Sequence, residues 1–317
     1  MRPFPTHDLL VDFGELRRRL SLMVDEAWRG GDGLVDAFLL ACGLNQILED
    51  YMSEGGPTLT AVARVVGRSG SGPVRGLARP IAATARFFQR RRDSGHLRDC
   101  QQELAASVDA LADDLVRSHH DSDPSDVLGP DLAARCLGRL GRLNPDVQER
   151  VIRLPSCFHS LDQDPEDFGR LIDRFVELEP DRDRHLLLIG LRTSGSYTAP
   201  LCGAYLRAAG YRSVETITVR PRWPWPPGEI ERIKAAERAS GLVLLSDDPP
   251  NSGDSLAAVA REVEALGSSR EHLMVVVPLF GEELPAALAP YQRVTLPWPQ
   301  WAIRDRLGHE AIRDSLR

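Results

Sequence analysis

Lysine is almost missing from this chain: Lys234 is the single lysine among 39 basic residues, and all the others are arginines. With 26 glycines, 23 prolines and many alanines beside them, the arginines read as a coding bias, so arginine clusters carry little weight as functional signals. Cysteine is scarce too. The five, Cys42, Cys100, Cys136, Cys157 and Cys202, are odd in number, widely spaced and free of any C-x-x-C. That pattern indicates neither a disulfide framework nor a zinc knuckle, and a reducing, cytoplasmic setting is expected. No stretch reaches the ~18 uninterrupted apolar residues of a spanning helix. The opening MRPFPTHDLLVDFGELRRRL has no apolar core after its first arginine, so we expect an untargeted protein with no membrane partner. Positive charge is not in excess either. Against the 39 basic side chains stand 46 acidic ones, for a net charge of −7, and nucleic acid is not an expected partner of the whole chain.

Two glycine motifs are also missing. No G-x-G-x-x-G follows a strand, which argues against a dinucleotide-binding fold. The run GRSGSGP at 67–73 lacks the Lys-Ser/Thr of a phosphate-binding P-loop and reads as a hinge.

What remains is ordinary globular material: 317 residues, 42% hydrophobic and 27% charged, enough for two domains. The two halves follow different patterns. From 8 to about 116, apolar residues recur at three- and four-residue spacing, as in Leu16, Leu20, Met23 and Val24, then Leu34, Phe38, Leu39 and Cys42. This spacing predicts helices, including one over 99–117 and, after a linker at 118–124, a shorter one over 131–143. After about 145, short apolar runs alternate with amphipathic segments. Strands are predicted at 185–189, 213–219, 242–246, 272–277 and 293–296, with helices at 196–209, 227–238 and 255–266. Continuous runs such as LLLI and LVLL imply strands covered on both faces of a mainly parallel sheet. We therefore expect a helical domain over 1–145 and an α/β domain over 146–317, with function at the loops that follow the strands.

The most informative stretch runs from Leu242 to Leu256: LVLLS, then Asp247-Asp248, Pro-Pro-Asn, Ser252-Gly253-Asp254-Ser255 and the start of a helix. Small residues entering a helix offer free backbone N–H groups and the positive end of the helix dipole, which suits a phosphate. The paired carboxylates upstream suit sugar hydroxyls or a water-bridged magnesium. Together they point to a phosphorylated sugar. A second strand, loop and helix, LLLIGLRTSGSY from Leu186, offers Arg192 as a counter-charge, with Thr193, Ser194 and Gly195 in a tight polar turn.

These residues resemble the type I phosphoribosyltransferases, whose signature is an apolar run, two acids, three variable residues, Thr or Ser, Gly, Gly or Asp, and Thr or Ser. The resemblance covers about 150–300. It implies a parallel sheet of phosphoribosyltransferase type and transfer of a 5-phosphoribosyl group from phosphoribosyl pyrophosphate to an unidentified acceptor, with release of pyrophosphate. By the same resemblance Asp247 and Asp248 would hold the ribose hydroxyls, and Asn251, Ser252, Gly253, Asp254 and Ser255 the 5-phosphate. Arg192, Thr193, Ser194 and Gly195 would meet pyrophosphate, and Mg would arrive on the substrate. Residues 220–227, RPRWPWPP, occupy the place of a closing loop, where Arg220 and Arg222 could reach pyrophosphate and Trp223 or Trp225 could cover the acceptor. Three prolines in the RWPWPP run make it stiffer than a glycine-rich lid, and tryptophans packed on the sheet explain it equally well. A second reading is a non-catalytic sensor of phosphoribosyl pyrophosphate whose Arg-rich helical half binds nucleic acid or a protein.

Other signals are weaker. Asp164 before Pro165 is a good helix start. Nearby His159 or Asp162 could serve an acceptor as base, although a packed loop histidine is the simpler reading. His119-His120 beside Asp121 and Asp123 reads as a solvated linker rather than a metal site. The nine arginines of 64–98, with one acid, Asp93, read as a solvated helical face. The C-terminal LPWPQW and the segment after it either close the sheet edge or contact a second copy of the chain.

Overall fold

The computed structural model describes residues 10–25, 32–53, 75–120, 129–153 and 163–306. All five expected strands form: β3 (Leu186–Leu191), β4 (Val214–Val219), β5 (Leu242–Ser246), β6 (Leu273–Leu279) and β7 (Gln292–Pro297). They make one all-parallel sheet in the order β4-β3-β5-β6-β7. The register sets Ile189 opposite Ile217 on one side and Leu245 on the other. A two-stranded antiparallel ribbon, β1 (Leu10–Asp12) with β2 (Val151–Arg153), lies apart from it.

Alternation along each strand sends side chains to two different covers. Leu187, Ile189, Val243, Leu245 and Val275 pack against helices α8 (Pro227–Arg238) and α9 (Asp254–Ala265), through Ile233, Leu256 and Val263 among others. Leu186, Leu188, Leu242, Leu244 and Val276 face α6 (Pro165–Leu178) and α7 (Gly195–Ala208). The same apolar cluster continues into α1 (Phe13–Asp25), α2 (Asp32–Ser53), α3 (Arg75–His120) and α4 (Gly129–Leu140), so one core runs across the expected boundary at 145. The short α5 (Pro145–Gln148) and α10 (Ala302–Arg306) complete the α-helices among the described residues. Helix α7 explains the continuity. It lies between the sheet and the helical layer, and Tyr197, Leu201, Cys202 and Leu206 are all fully buried. Arg207 of α7 also donates to Asp113 of α3 at 2.7 Å.

The structure corrects the expected elements in three places. Residues 10–12, expected within a helical half, form a strand because they pair with residues 151–153 beyond the expected boundary. The helix expected over 99–117 is the C-terminal part of a 46-residue helix, and the expected linker at 118–124 begins inside it, since α3 runs to His120. The helix expected over 131–143 ends at Leu140. The start at Asp164 forms as expected: its side chain accepts from the Glu166 amide, and Asp167 accepts back from the Asp164 amide at 2.8 Å.

Candidate functional site

Helix α7, which follows β3, covers one face of the sheet, and α9, which follows β5, covers the other. Neighbouring strands whose crossovers leave on opposite faces part their loops and open a crevice at the carboxyl edge. Both sequence motifs flank that crevice. The turn after β3 is three residues long, and the Arg192–Thr193 peptide bond within it is cis. A Cβ on Gly190 would lie 2.1 Å from the Gly195 carbonyl oxygen, and one on Gly195 would lie 2.3 Å from the Gly190 carbonyl carbon. Glycine at both places is what lets the strand end touch the helix start.

Asp247 and Asp248 are the first residues after β5 and both are half-buried. The Asp248 amide donates to Asp247 Oδ1 at 3.0 Å, and Ser194 Oγ donates to Asp248 Oδ2 at 2.9 Å. That last bond ties the two loops together. Burial, and then the neighbouring charge of Asp248, push the Asp247 carboxyl well above the usual carboxylate range. Beyond the acids, Gly253 adopts a left-handed conformation with φ 75° and leads directly into α9. Asn251, Ser252, Asp254 and Ser255 are exposed at that entry, and Ser252 Oγ donates to Asp254 Oδ2 at 3.0 Å. The Asp254 amide donates to Ser252 Oγ at 3.3 Å, and the amides that follow it in the first turn of α9 lie at the helix end that anions favour.

The arginines behave differently from expectation. Arg192 turns into the protein, with its side chain only 3% exposed. Its Nε and Nη2 donate to the hydroxyl and carbonyl of Thr218 at 3.0 Å each, and its Nη1 donates to Asp50 Oδ1 at 2.7 Å. Arg220 grips the same Asp50 through Nε at 2.8 Å and through Nη2. Thr218 in turn donates to Glu49, whose carboxyl burial pushes up. A buried network thus joins α2 to the loops after β3 and β4; it turns the Arg192 guanidinium into the interior and pairs that of Arg220 with the same carboxylate. Sequence reasoning missed Glu49 and Asp50. The available signal was an acid pair ending LLACGLNQILED, a helix otherwise dominated by apolar residues.

Residues 220–226 form a short turn into α8, which Pro227 begins. Trp225 packs on the core under α8 and donates to the Arg220 carbonyl at 3.4 Å, whereas Trp223 stays 45% exposed beneath the Arg220 guanidinium. Arg222 is exposed in that turn, with φ 64°. His159 and Asp162 lie outside the described residues, as do residues 64–74 of the arginine-rich segment. Among the described residues, no group of three or more His, Cys, Asp or Glu is placed to hold a metal ion. None of the described helices is long and apolar enough to cross a membrane. No protein-family model matches the chain, and a search of curated proteins finds no match.

Proposed function

We propose that this chain is a phosphoribosyltransferase that binds phosphoribosyl pyrophosphate across the β3/β5 crevice and releases pyrophosphate as an unidentified acceptor attacks. The observation that carries the reading is the convergence of the acidic pair with the two small-residue loops, joined by the hydrogen bond from Ser194 to Asp248. The carboxyl groups of Asp247 and Asp248 accept hydrogen bonds from the ribose hydroxyls. The amides and hydroxyls of Asn251–Ser255 take the 5-phosphate at the start of α9. Thr193, Ser194 and Gly195 meet the pyrophosphate. A magnesium ion carried by the substrate would suit the two adjacent carboxylates, whose mutual repulsion is one cause of the Asp247 shift, and it would neutralise charge on the leaving group. The protein's own part is positioning and charge stabilisation. The reading includes a sheet of phosphoribosyltransferase type, an accessory helical part before residue 145 that shares its core with the sheet, and a cytoplasmic setting.

One observation favours a second reading, a non-catalytic sensor of the same ligand: Arg192 and Arg220 are both paired with Asp50, and the Arg192 guanidinium is buried in that pairing rather than offered to a leaving group. Calorimetric titration of phosphoribosyl pyrophosphate with magnesium tests the shared premise. Ribose 5-phosphate and ATP serve as controls, and Asp247→Asn/Asp248→Asn as the variant. Selective binding that weakens by about a hundredfold in the variant, as expected for two lost charge-assisted hydrogen bonds, supports the site. Pyrophosphate release in an acceptor screen then separates enzyme from sensor. No binding by folded wild type rejects both readings.

A further inference from the structure

The two loops at the crevice satisfy each other. Ser194 Oγ donates to Asp248 Oδ2 at 2.9 Å, and both residues are half-buried. A serine at the start of a helix ordinarily has an extended backbone and turns its hydroxyl back to accept from an amide of the first turn. Ser194 stands at the entry to α7 and makes no such bond. Its backbone is already helical, with φ −65° and ψ −38°, and its hydroxyl reaches across the crevice instead.

A second bond, deeper down, pins the same loops at their base. Ser246 ends β5, Thr198 lies on α7 one turn beyond Ser194, and both are fully buried. Ser246 Oγ donates to Thr198 Oγ1 at 3.1 Å. Gly195 is wedged beside them: a Cβ there would stand 3.1 Å from the Ser246 carbonyl oxygen as well as against Gly190. A rotation of Ser194 about χ1 is therefore enough to part its bond to Asp248 while the base of the crevice stays closed.

The donor count gives this contact a consequence. A serine hydroxyl has one proton to give, and a carboxylate only accepts. While Ser194 gives its proton to Asp248, it has none for an anion in the turn after β3. A ligand that brings hydroxyls to Asp248 and nothing to that turn displaces Ser194 and leaves its hydroxyl to find water. A ligand that also brings anionic oxygens to the turn offers the displaced hydroxyl a new acceptor of the same strength.

We propose that Ser194 is a specificity-determining residue whose bond to Asp248 is exchanged when a ligand binds. One bond from a ligand hydroxyl to Asp248 and one from Ser194 to a ligand phosphate take its place. The crevice thereby selects molecules that carry a diol and a second phosphoryl group together over sugar phosphates that lack the second group. The inference rests on the function proposed above, and adds to it the residue that couples the two halves of the ligand.

The test is calorimetric titration of the full-length protein and of Ser194→Ala with phosphoribosyl pyrophosphate and with ribose 5-phosphate, at one fixed magnesium concentration. Circular dichroism checks that the variant is folded, as expected where the serine makes no cap bond to lose. In Ser194→Ala no serine hydroxyl competes for Asp248. Ribose 5-phosphate therefore binds about tenfold tighter than to wild type, the effect of one hydrogen bond that no longer has to be broken. Phosphoribosyl pyrophosphate loses one bond and is spared the breaking of another, so its affinity changes by less than about threefold. Selectivity between the two ligands falls about tenfold, and it falls through the gain of the smaller one. Weaker binding of both ligands would mean that Ser194 merely orients Asp248, and overturns the proposal. Weaker phosphoribosyl pyrophosphate beside unchanged ribose 5-phosphate would make Ser194 a phosphate donor with no exchange, and overturns it too. Both of these results leave the proposed function standing, whereas a folded wild type that binds no phosphoribosyl pyrophosphate removes that function and this inference with it.

Discussion

Replacing Asp50 by alanine removes the carboxylate that holds Arg192 and Arg220 together. Three charge-assisted hydrogen bonds disappear, one from Arg192 Nη1 and two from Arg220. The two arginines then fare differently. Arg220 is 31% exposed and recovers much of its loss from water, whereas the Arg192 side chain is 3% exposed and has no such recourse. Breaking a buried pair from one side costs about 3–5 kcal/mol. Thr218 keeps its two bonds to Arg192, which places the expectation near the lower end, about 3 kcal/mol. At about 2.1 cal/mol/K of unfolding entropy per residue, this lowers the melting temperature of a chain of 317 residues by about 5 °C. Glu49, 3.6 Å from Arg192, is the remaining carboxylate of the network. When ionised it partly replaces Asp50, so the deficit of the variant grows as pH falls and Glu49 takes up its proton. Urea unfolding at about pH 5 and about pH 8, followed by far-UV circular dichroism and tryptophan fluorescence, measures both effects. Asp50→Leu/Arg192→Met, which removes charge from both sides, is expected to lose less than Asp50→Ala alone. A loss below about 1 kcal/mol, or a double variant less stable than the single, refutes the account of Asp50 as the clamp between α2 and the sheet loops.

Three other outcomes are expected. Asp247 holds its proton in the folded state to well above its ordinary value of 3.8. As pH rises past that value the unfolded chain ionises first and stability falls, so Asp247→Asn gains on wild type with rising pH, as urea midpoints across that range will show. An equal gain at every pH would mean that the raised value is not the cause. Gly190→Ala forces a Cβ against backbone 2.1 Å away and is expected to cost more than about 4 kcal/mol or to abolish folding. Gly253→Ala, with φ 75° and a nearest contact to the movable Leu288 side chain at 2.9 Å, should cost about 1–3 kcal/mol and leave a folded protein; equal losses for the two glycines would be wrong. Burial pushes the Cys202 thiol up to about 12, so its thiolate is about a thousandfold rarer than in the unfolded chain. Iodoacetamide labelling followed by mass spectrometry should find it modified only after denaturation.

The parallel sheet was legible in the sequence because its strands are buried on both faces. Continuous apolar runs such as Leu186–Ile189 and Leu242–Leu245 can be satisfied in few other ways. The turns at Arg192–Gly195 and Asp247–Gly253 were legible for a related reason, since glycine, serine and aspartate at strand ends carry local backbone demands. Those demands are met in place: Gly253 takes a positive φ, and Gly190 and Gly195 touch. The resemblance to phosphoribosyltransferases drew on the same local order of residues, and so reached the crevice but nothing beyond it.

Contacts between residues far apart in the chain were not legible, because periodicity reports which face of an element is buried and not what buries it. Nothing local to Leu10–Asp12 requires a strand until Val151–Arg153 lies beside it. Nothing local to Arg192 shows that its guanidinium turns from the crevice to an aspartate 142 residues away. A cation beside a polar loop looks like a phosphate ligand in one dimension. In three, the buried acids of α2 compete for it and hold it, since a guanidinium in a dry interior must be paired. The sequence by itself determined the sheet, its loops and the chemistry they offer. Only the tertiary structure decided which charges remain at the crevice and which ones fasten the helical layer to it.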